Sequence, residues 1–325
     1  MPQESINYAV GRLSLKQREV MDASRLERLL SASSYEEAKR TLSEIGWTSA
    51  EDADYEQMAL DRVAQASVLV RALSTDEKVT DCFLLKYDIA NLKMLLKARC
   101  LGVQAAYLSS SGTLPVEMLR HAVADHGYKA LPDPLCQAME TLEQALLVEE
   151  DPLLIDVTLD RAMFQLIFQK LEKTRCITAV RYFRARVDLL NAITTLRVHR
   201  MGRDAAFLSQ VLLPGGTLGE EAWKAVWDDP EKLPKLVSVY GDKVEDAARL
   251  AVRDAARLPG LEKAMDNALL AMLTQYRHDL MRLETIVGYL LAVEREAGAV
   301  RLIMAGKQNG FDMDAIRERL RDLYG

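Results

Sequence analysis

Asp88–Ser109 reads DIANLKMLLKARCLGVQAAYLS, and 100 positions further on Asp188–Ser209 reads DLLNAITTLRVHRMGRDAAFLS. Eight positions are identical (Asp88/Asp188, Asn91/Asn191, Leu96/Leu196, Gly102/Gly202, Ala105/Ala205, Ala106/Ala206, Leu108/Leu208, Ser109/Ser209). Unrelated segments of ordinary composition share about one or two. The match extends outward: Phe83 answers Phe183, and Gly112-Thr113-Leu114 answers Gly216-Thr217-Leu218 after a four-residue insertion. A fainter third copy, Glu296–Gly310 (EAGAVRLIMAGKQNG), keeps the closing glycine and the starting acid, and places Lys307 where Arg99 stood. The chain reads as one helical unit used three times.

The segments between Gly and Pro breakers carry a helical apolar period, and few β-branched alternating runs offer strands. The fold class is all-α. Long helices are expected at about 51–73, 76–101, 152–173, 175–201, 259–283 and 286–308, as three consecutive pairs with the motif on the second member of each. Shorter amphipathic segments (24–46, 115–148, 219–256) add further helices. Capping-box spacing marks starts at Ser34/Glu37, Thr48/Glu51, Ser74/Glu77 and Thr217/Glu220, and Asp151-Pro152 joins a cap to proline at the first helical position. With no long Pro/Ser-rich linker, the expectation is a single compact body of three helical bundles: repeat 1 over 1–113, repeat 2 over 114–218 and repeat 3 over 219–325.

Net charge −6, with Lys and Arg dispersed among acids, leaves no basic footprint for nucleic acid. Cys82, Cys100, Cys136 and Cys176 have no paired spacing and read as buried thiols in a reducing, cytoplasmic compartment. The first twenty residues have no apolar signal region, and no apolar run is long enough to span a membrane.

No catalytic set or cofactor site emerges. Gly306-Lys307 lacks the phosphate-loop glycine five residues earlier, where Arg301 stands, and the Ser/Thr after the lysine, where Gln308 stands. His121 and His126 lie about 140° apart on a helix and have no ligand cluster around them. Di-iron bundles need Glu-x-x-His, which is absent, and prenyl-transfer bundles need aspartate-rich pairs inside helices, whereas Asp228-Asp229 precedes helix-breaking Pro230. The recurring Asp-x-x-Asn (Asp88/Asn91, Asp188/Asn191; Glu296 with Ala299 in the third copy) has two readings. Acid and amide hydrogen-bond to a neighbouring turn and fix register, or equivalent polar faces line a cavity that grips a partner. Arg181, Arg184 and Arg186 at the start of the second motif helix, with Arg197, His199, Arg200 and Arg203 at its end, form a basic group on an acidic chain and suit an acidic partner surface.

The stretches YDIANLKMLLKARCLG (87–102), YFRARVDLLNAITTLRVHRMG (182–202) and YLLAVEREAGAVRLIMAGKQNG (289–310), with the opening NYAVGRLSL (7–15), resemble the C subunit of prokaryotic V/A-type rotary ATPases, the counterpart of the d subunit of the eukaryotic V-ATPase. The likeness covers nearly the whole chain. Gly11 stands where that family more often has alanine, and Gly298-Ala299 replaces its usual Ile-Asn, which makes the third bundle the expected loosest. The resemblance implies a funnel of three bundles around a pseudo-threefold axis, a socket for the central shaft (the D and F subunits), and an opposite face resting on the membrane rotor ring. It implies a non-catalytic coupling spacer without cofactor, peripheral on the cytoplasmic face of the membrane. Candidate socket residues are Asp88, Asn91, Lys93, Asp188, Asn191, Arg197, Glu296 and Arg301. On this reading Asp188→Arg or Arg197→Glu uncouples ATP hydrolysis from ion movement while the protein still folds. The alternative is a helical-repeat adaptor with an open groove, outside any ATPase.

Overall fold

The computed structural model describes residues 6–47, 54–148, 151–276 and 283–323, and its regular elements are all helical, with no strand among those residues. The first helices are α1 (Ile6–Gln17), α2 (Ala23–Ser31), α3 (Tyr35–Glu44), α4 (Tyr55–Leu73) and α5 (Glu77–Cys100). Next come α6 (Val116–Ala124), α7 (Asp133–Leu146), α8 (Pro152–Leu171), α9 (Ile177–Arg200) and α10 (Ala205–Val211). The last are α11 (Glu220–Asp228), α12 (Leu233–Val237), α13 (Asp242–Arg253), α14 (Leu258–Thr274), α15 (Leu283–Gln308) and α16 (Met313–Arg319). All six expected long helices are present as α4, α5, α8, α9, α14 and α15. The expected starts of α4 at 51 and end of α14 at 283 touch segments outside the described residues.

Two of the start signals act as read. Ser34 accepts from the Glu37 amide at the head of α3, and Asp151 accepts from the Leu153 amide with Pro152 at the first helical position of α8. Two do not. Asp76, not Ser74, caps α5 by accepting from Lys78 and Val79, because the chain stays extended until that acid reaches the free amides. Gly219, not Thr217, precedes α11, and the Thr217 amide is spent on Asp188. Thr48/Glu51 lies outside the described residues. Only Cys82 is buried, while Cys100, Cys136 and Cys176 are part-exposed near helix ends; no disulfide joins them.

Contacts group the chain into two compact units, Met1–Leu84 with Ser109–Gly112 and Leu273–Gly325, and Leu85–Leu108 with Thr113–Met272. Residues from the two ends of the chain therefore share a unit, which divisions at 113 and 218 would separate. The reason is α15. Its buried residues Ile286, Leu290, Val293, Ala297, Val300 and Met304 recur along one face, its first half from Thr285 to Val293 is buried throughout, and it packs along α4 and against α1 and α3. Each such Leu, Ile or Val side chain taken from water contributes about 1.5–3 kcal/mol. In the other unit α7 packs on α8 and α11 on α9.

Candidate functional site

The three copies end alike. Gly102, Gly202 and Gly310 all take left-handed backbone (φ +65°, +64° and +66°). In each, the next residue's amide returns to the carbonyl five back: Val103 to Ala98, Arg203 to Val198 and Phe311 to Gly306. The glycine amide itself returns to Arg99, His199 and Lys307. This is the Schellman end, which glycine reaches without a Cβ penalty.

The acids are buried and fully engaged. Asp88 accepts from the Thr113 amide (2.7 Å) and hydroxyl (2.7 Å) and from the Leu114 amide (3.0 Å). Asp188 accepts from the Thr217 and Leu218 amides (2.9 and 3.1 Å) and from the Tyr240 hydroxyl (2.5 Å). Glu296 accepts from Trp47 Nε1 (2.6 Å), from Arg62 (3.4 Å) and from the Met21 amide. Leu114, Leu218 and Met21 each lie two residues before a nine-residue helix: α6, α11 and α2.

The base eleven positions after each acid holds the other end of the same short helix. Arg99 donates to the Val123 carbonyl (3.0 Å), His199 Nδ1 to that of Trp227 (2.8 Å) and Lys307 to that of Leu30 (2.8 Å), with Ala32 as a second acceptor. Val123, Trp227 and Leu30 are the penultimate residues of α6, α11 and α2. The positive charges of Arg99 and Lys307 there meet the negative end of the helix dipole. Each motif helix is thus a clamp with one jaw at the head of a short helix and one at its tail. The span of eleven residues, about 16 Å, matches the nine-residue helix plus its leading turn.

Local charge follows from this packing. Burial pushes the Glu296 carboxyl up, against the opposing pull of Arg62 and Trp47, and burial pushes the Lys307 ammonium down. Burial and the bond to Asp188 push the Tyr240 hydroxyl up. Beside Arg99, burial raises Glu143, but hydrogen bonds from Tyr128, Arg99 and His126 outweigh it and hold that carboxyl below its usual range. Tyr128 is pushed up to about 12, chiefly by burial.

The candidate socket residues divide accordingly. Asp88, Asn91, Asp188, Asn191 and Glu296 are at most 2% exposed, so their polar atoms face their own unit. Asn191 exchanges two hydrogen bonds with Leu213, donating to its carbonyl (2.9 Å) and accepting from its amide (2.8 Å). The register reading describes these side chains, and burial removes them from direct contact with a partner. Lys93, Arg197 and Arg301 reach the surface, each in an ion pair: Lys93 with Asp160, Arg197 with Glu262 and Arg301 with Glu56, all at 2.7 Å. Six of the eight fall in the unit containing α6–α13, and Glu296 and Arg301 in the unit containing both chain ends. Trp47, Arg62 and Tyr240 carry the clamps as much as the motifs do, and sequence reading missed them because no repeat marks them. Among the described residues no group of His, Cys, Asp and Glu is placed to hold a metal ion, and no helix is long and apolar enough to cross a membrane.

Comparison with known proteins gives the architecture a family. The family profile described as ATP synthase (C/AC39) subunit matches residues 9–319. The chain is 22% identical over 276 residues to the C subunit of the V-type sodium ATPase of Enterococcus hirae, covering 84% of each. It is 23% identical over 336 residues to the C subunit of the A-type ATP synthase of Thermococcus kodakarensis (98% of this chain, 88% of that one). It is 32% identical over 175 residues to the corresponding protein of Haloferax volcanii (51% and 49%). With a match that runs through all three clamps, this chain belongs to the ATP synthase (C/AC39) subunit family.

Proposed function

We propose that this chain is the non-catalytic coupling subunit of a V/A-type rotary ATPase, joining the central shaft (D and F subunits) to the membrane rotor ring and passing torque between them. Its three repeats close as a funnel around a pseudo-threefold axis, and the protein sits peripherally on the cytoplasmic face of the membrane. The observation that carries this reading is the clamp itself, made three times with the same register. A spacer that transmits force must resist shear, and each clamp fixes a short helix at both ends, by a buried acid at its head and a basic side chain at its tail.

The shaft contact then falls on the exposed stripes of the first two motif helices. Met94 on α5 with Leu101 just past its end, and Leu190 on α9 with Met201 just past its end, supply exposed apolar residues, and the bases Lys97 and Arg197 stand at matching positions between them. Lys93 and Arg301 occupy equivalent positions of the first and third copies. Calorimetry with a purified D–F heterodimer from the same organism, at two salt concentrations, tests the reading. One-to-one, salt-sensitive binding supports it; no binding at either salt overturns it.

A further inference from the structure

The bases gathered by sequence around α9 separate into two groups. At the tail of the helix Arg197 pairs with Glu262, His199 holds the Trp227 carbonyl, Arg200 donates to the Ala251 carbonyl and Arg203 lies over the Phe207 ring. At its head Arg181 and Arg184 are exposed, as are Lys173 and Arg175 in the connection from α8. None of these four side chains has an ion pair or a hydrogen bond among the described residues. Residues 170–186 hold six bases and one acid, net +5 on a chain of net −6. That acid, Glu172, lines a hollow with Asp133 and Arg184, and neither carboxylate pairs with the arginine.

The fold does not ask for this charge. α5 is the sister of α9 and makes the same clamp, yet it carries Glu77, Asp81 and Leu84 where α9 carries Ile177, Arg181 and Arg184. Leu84 is fully buried, so a face that packs in the first copy is open and basic in the second. The connection also differs: three residues lead into α5, but five lead into α9, and these carry Lys173 and Arg175. Like charges gathered without counter-charge repel one another and oppose the compact state. A partner that brings the counter-charge removes that penalty.

The arrangement says what kind of partner fits. Ile177, Arg181 and Arg184 follow one another at four and three residues, which makes one stripe of α9 about 10 Å long. Guanidinium forks match carboxylates, and Ile177, 67% exposed, adds an apolar contact at the end of the stripe. The remainder of the chain sums to net −11. An anionic bilayer or a nucleic acid extends its field past so small a patch and repels that remainder, whereas a short acidic segment does not.

We propose that the head of α9, with Lys173 and Arg175 before it, docks a short acidic segment of a partner polypeptide, with its carboxylates on the bases and an apolar side chain on Ile177. Arg181 lies about 24 Å along the helix from Arg197, so the site stands apart from the stripe assigned to the shaft. A failed shaft titration leaves it standing.

The test selects random short peptides displayed on phage against the whole protein and measures synthetic versions by fluorescence anisotropy. Arg181→Asp installs the residue that α5 has at the equivalent position, and Arg184→Glu is a second surface reversal. Lys243→Glu, an exposed base on α13, changes the net charge equally and is the control. The expected peptides are rich in Asp and Glu and bind one-to-one. Each reversal at the head of α9 should weaken binding about tenfold, added salt should weaken it further, and the control should leave it unchanged. No enrichment, peptides without an excess of acid, or binding indifferent to Arg181 and Arg184 would overturn the proposal. Tighter binding of phosphatidylserine vesicles or of a single-stranded oligonucleotide through the same two arginines would overturn it as well.

Discussion

Lys307, in the last turn of α15, donates its ammonium to the carbonyl of Leu30 at the end of α2, 277 residues earlier in the chain. Arg99 and His199 make the equivalent bond to helices that follow them by about two dozen residues, 24 for Val123 and 28 for Trp227. The third clamp is the same device closed by the beginning of the chain. Glu296 grips Met21, Trp47 and Arg62 for the same reason. Lys307→Met, which keeps the apolar stem and removes the donor, should destabilise the protein by about 1–2 kcal/mol, the scale of a charge-assisted hydrogen bond. The midpoint of urea unfolding, followed by circular dichroism, checks it.

Asp188 is fully buried with three donors aimed at it, so Asp188→Arg places a cation where only an acid fits. The sequence reading expects that variant to fold, but burial reverses the expectation. Asp188→Ala should cost about 3–5 kcal/mol because the Thr217, Leu218 and Tyr240 donors lose their acceptor together, and Asp188→Arg should yield no folded protein. Recovery of a soluble, cooperatively melting Asp188→Arg variant would contradict the clamp.

Arg197→Glu tests the surface instead. The Arg197 side chain is 58% exposed and its pair with Glu262 is a surface ion pair, worth at most about 1 kcal/mol. The variant should fold with nearly unchanged melting temperature and lose affinity for the D–F shaft, more so at low salt. Unchanged affinity in calorimetry would remove Arg197 from the contact.

Glycines in this chain give opposite signs on replacement by alanine. Gly202→Ala forces a Cβ into left-handed backbone and should cost about 1–2 kcal/mol. Gly298 lies mid-helix in α15, and nothing stands within 4 Å of a Cβ built there. Gly298→Ala should therefore stabilise by up to about 1 kcal/mol, and differential scanning calorimetry should show the melting temperatures moving apart.

Two carboxyls respond to acid in opposite directions. Glu143 is held below its usual range in the folded protein, so its contribution is present above the unfolded value near 4.3 and is lost as pH falls through the folded value. Glu296 is raised by burial, so its contribution is present below the unfolded value and is lost as pH rises through the folded one. The stability difference between wild type and Glu143→Gln should shrink from pH 7 to pH 4. For Glu296→Gln, wild type should gain on the variant over the same interval. Urea midpoints at a series of pH values report both slopes.

How legible was this in the sequence? The helices were, because a 3.6-residue apolar period survives whatever packs against it, and the match of 88–109 with 188–209 exposed the repeat. The register role of Asp88 and Asp188 was present as one of two readings, and Gly-Thr-Leu was noted as recurring after each copy, though not as the partner of the acid. What was hidden is the direction in which those acids point. Spacing places Asp188 and Asn191 on one helical face, but whether that face meets water or Thr217 is decided by a loop and by Tyr240, 52 residues away. The pairing of α15 with α2 was hidden for a similar reason: a repeat in linear order gives no sign that its last copy is completed by its first residues.

That pairing sets a clock on biosynthesis. Residues 85–272 supply nearly all of one unit, and both of its clamps close on helices that emerge soon after their motifs. Residues 1–84 must wait for 273–325 before α15 reaches α2 and α4. At about 5–20 residues per second, the intervening chain of roughly 190 residues means a delay of about 10–40 s, during which the apolar faces of α2 and α4 stand uncovered beside the ribosome. Helices α2 and α4 are made long before the helix that completes them.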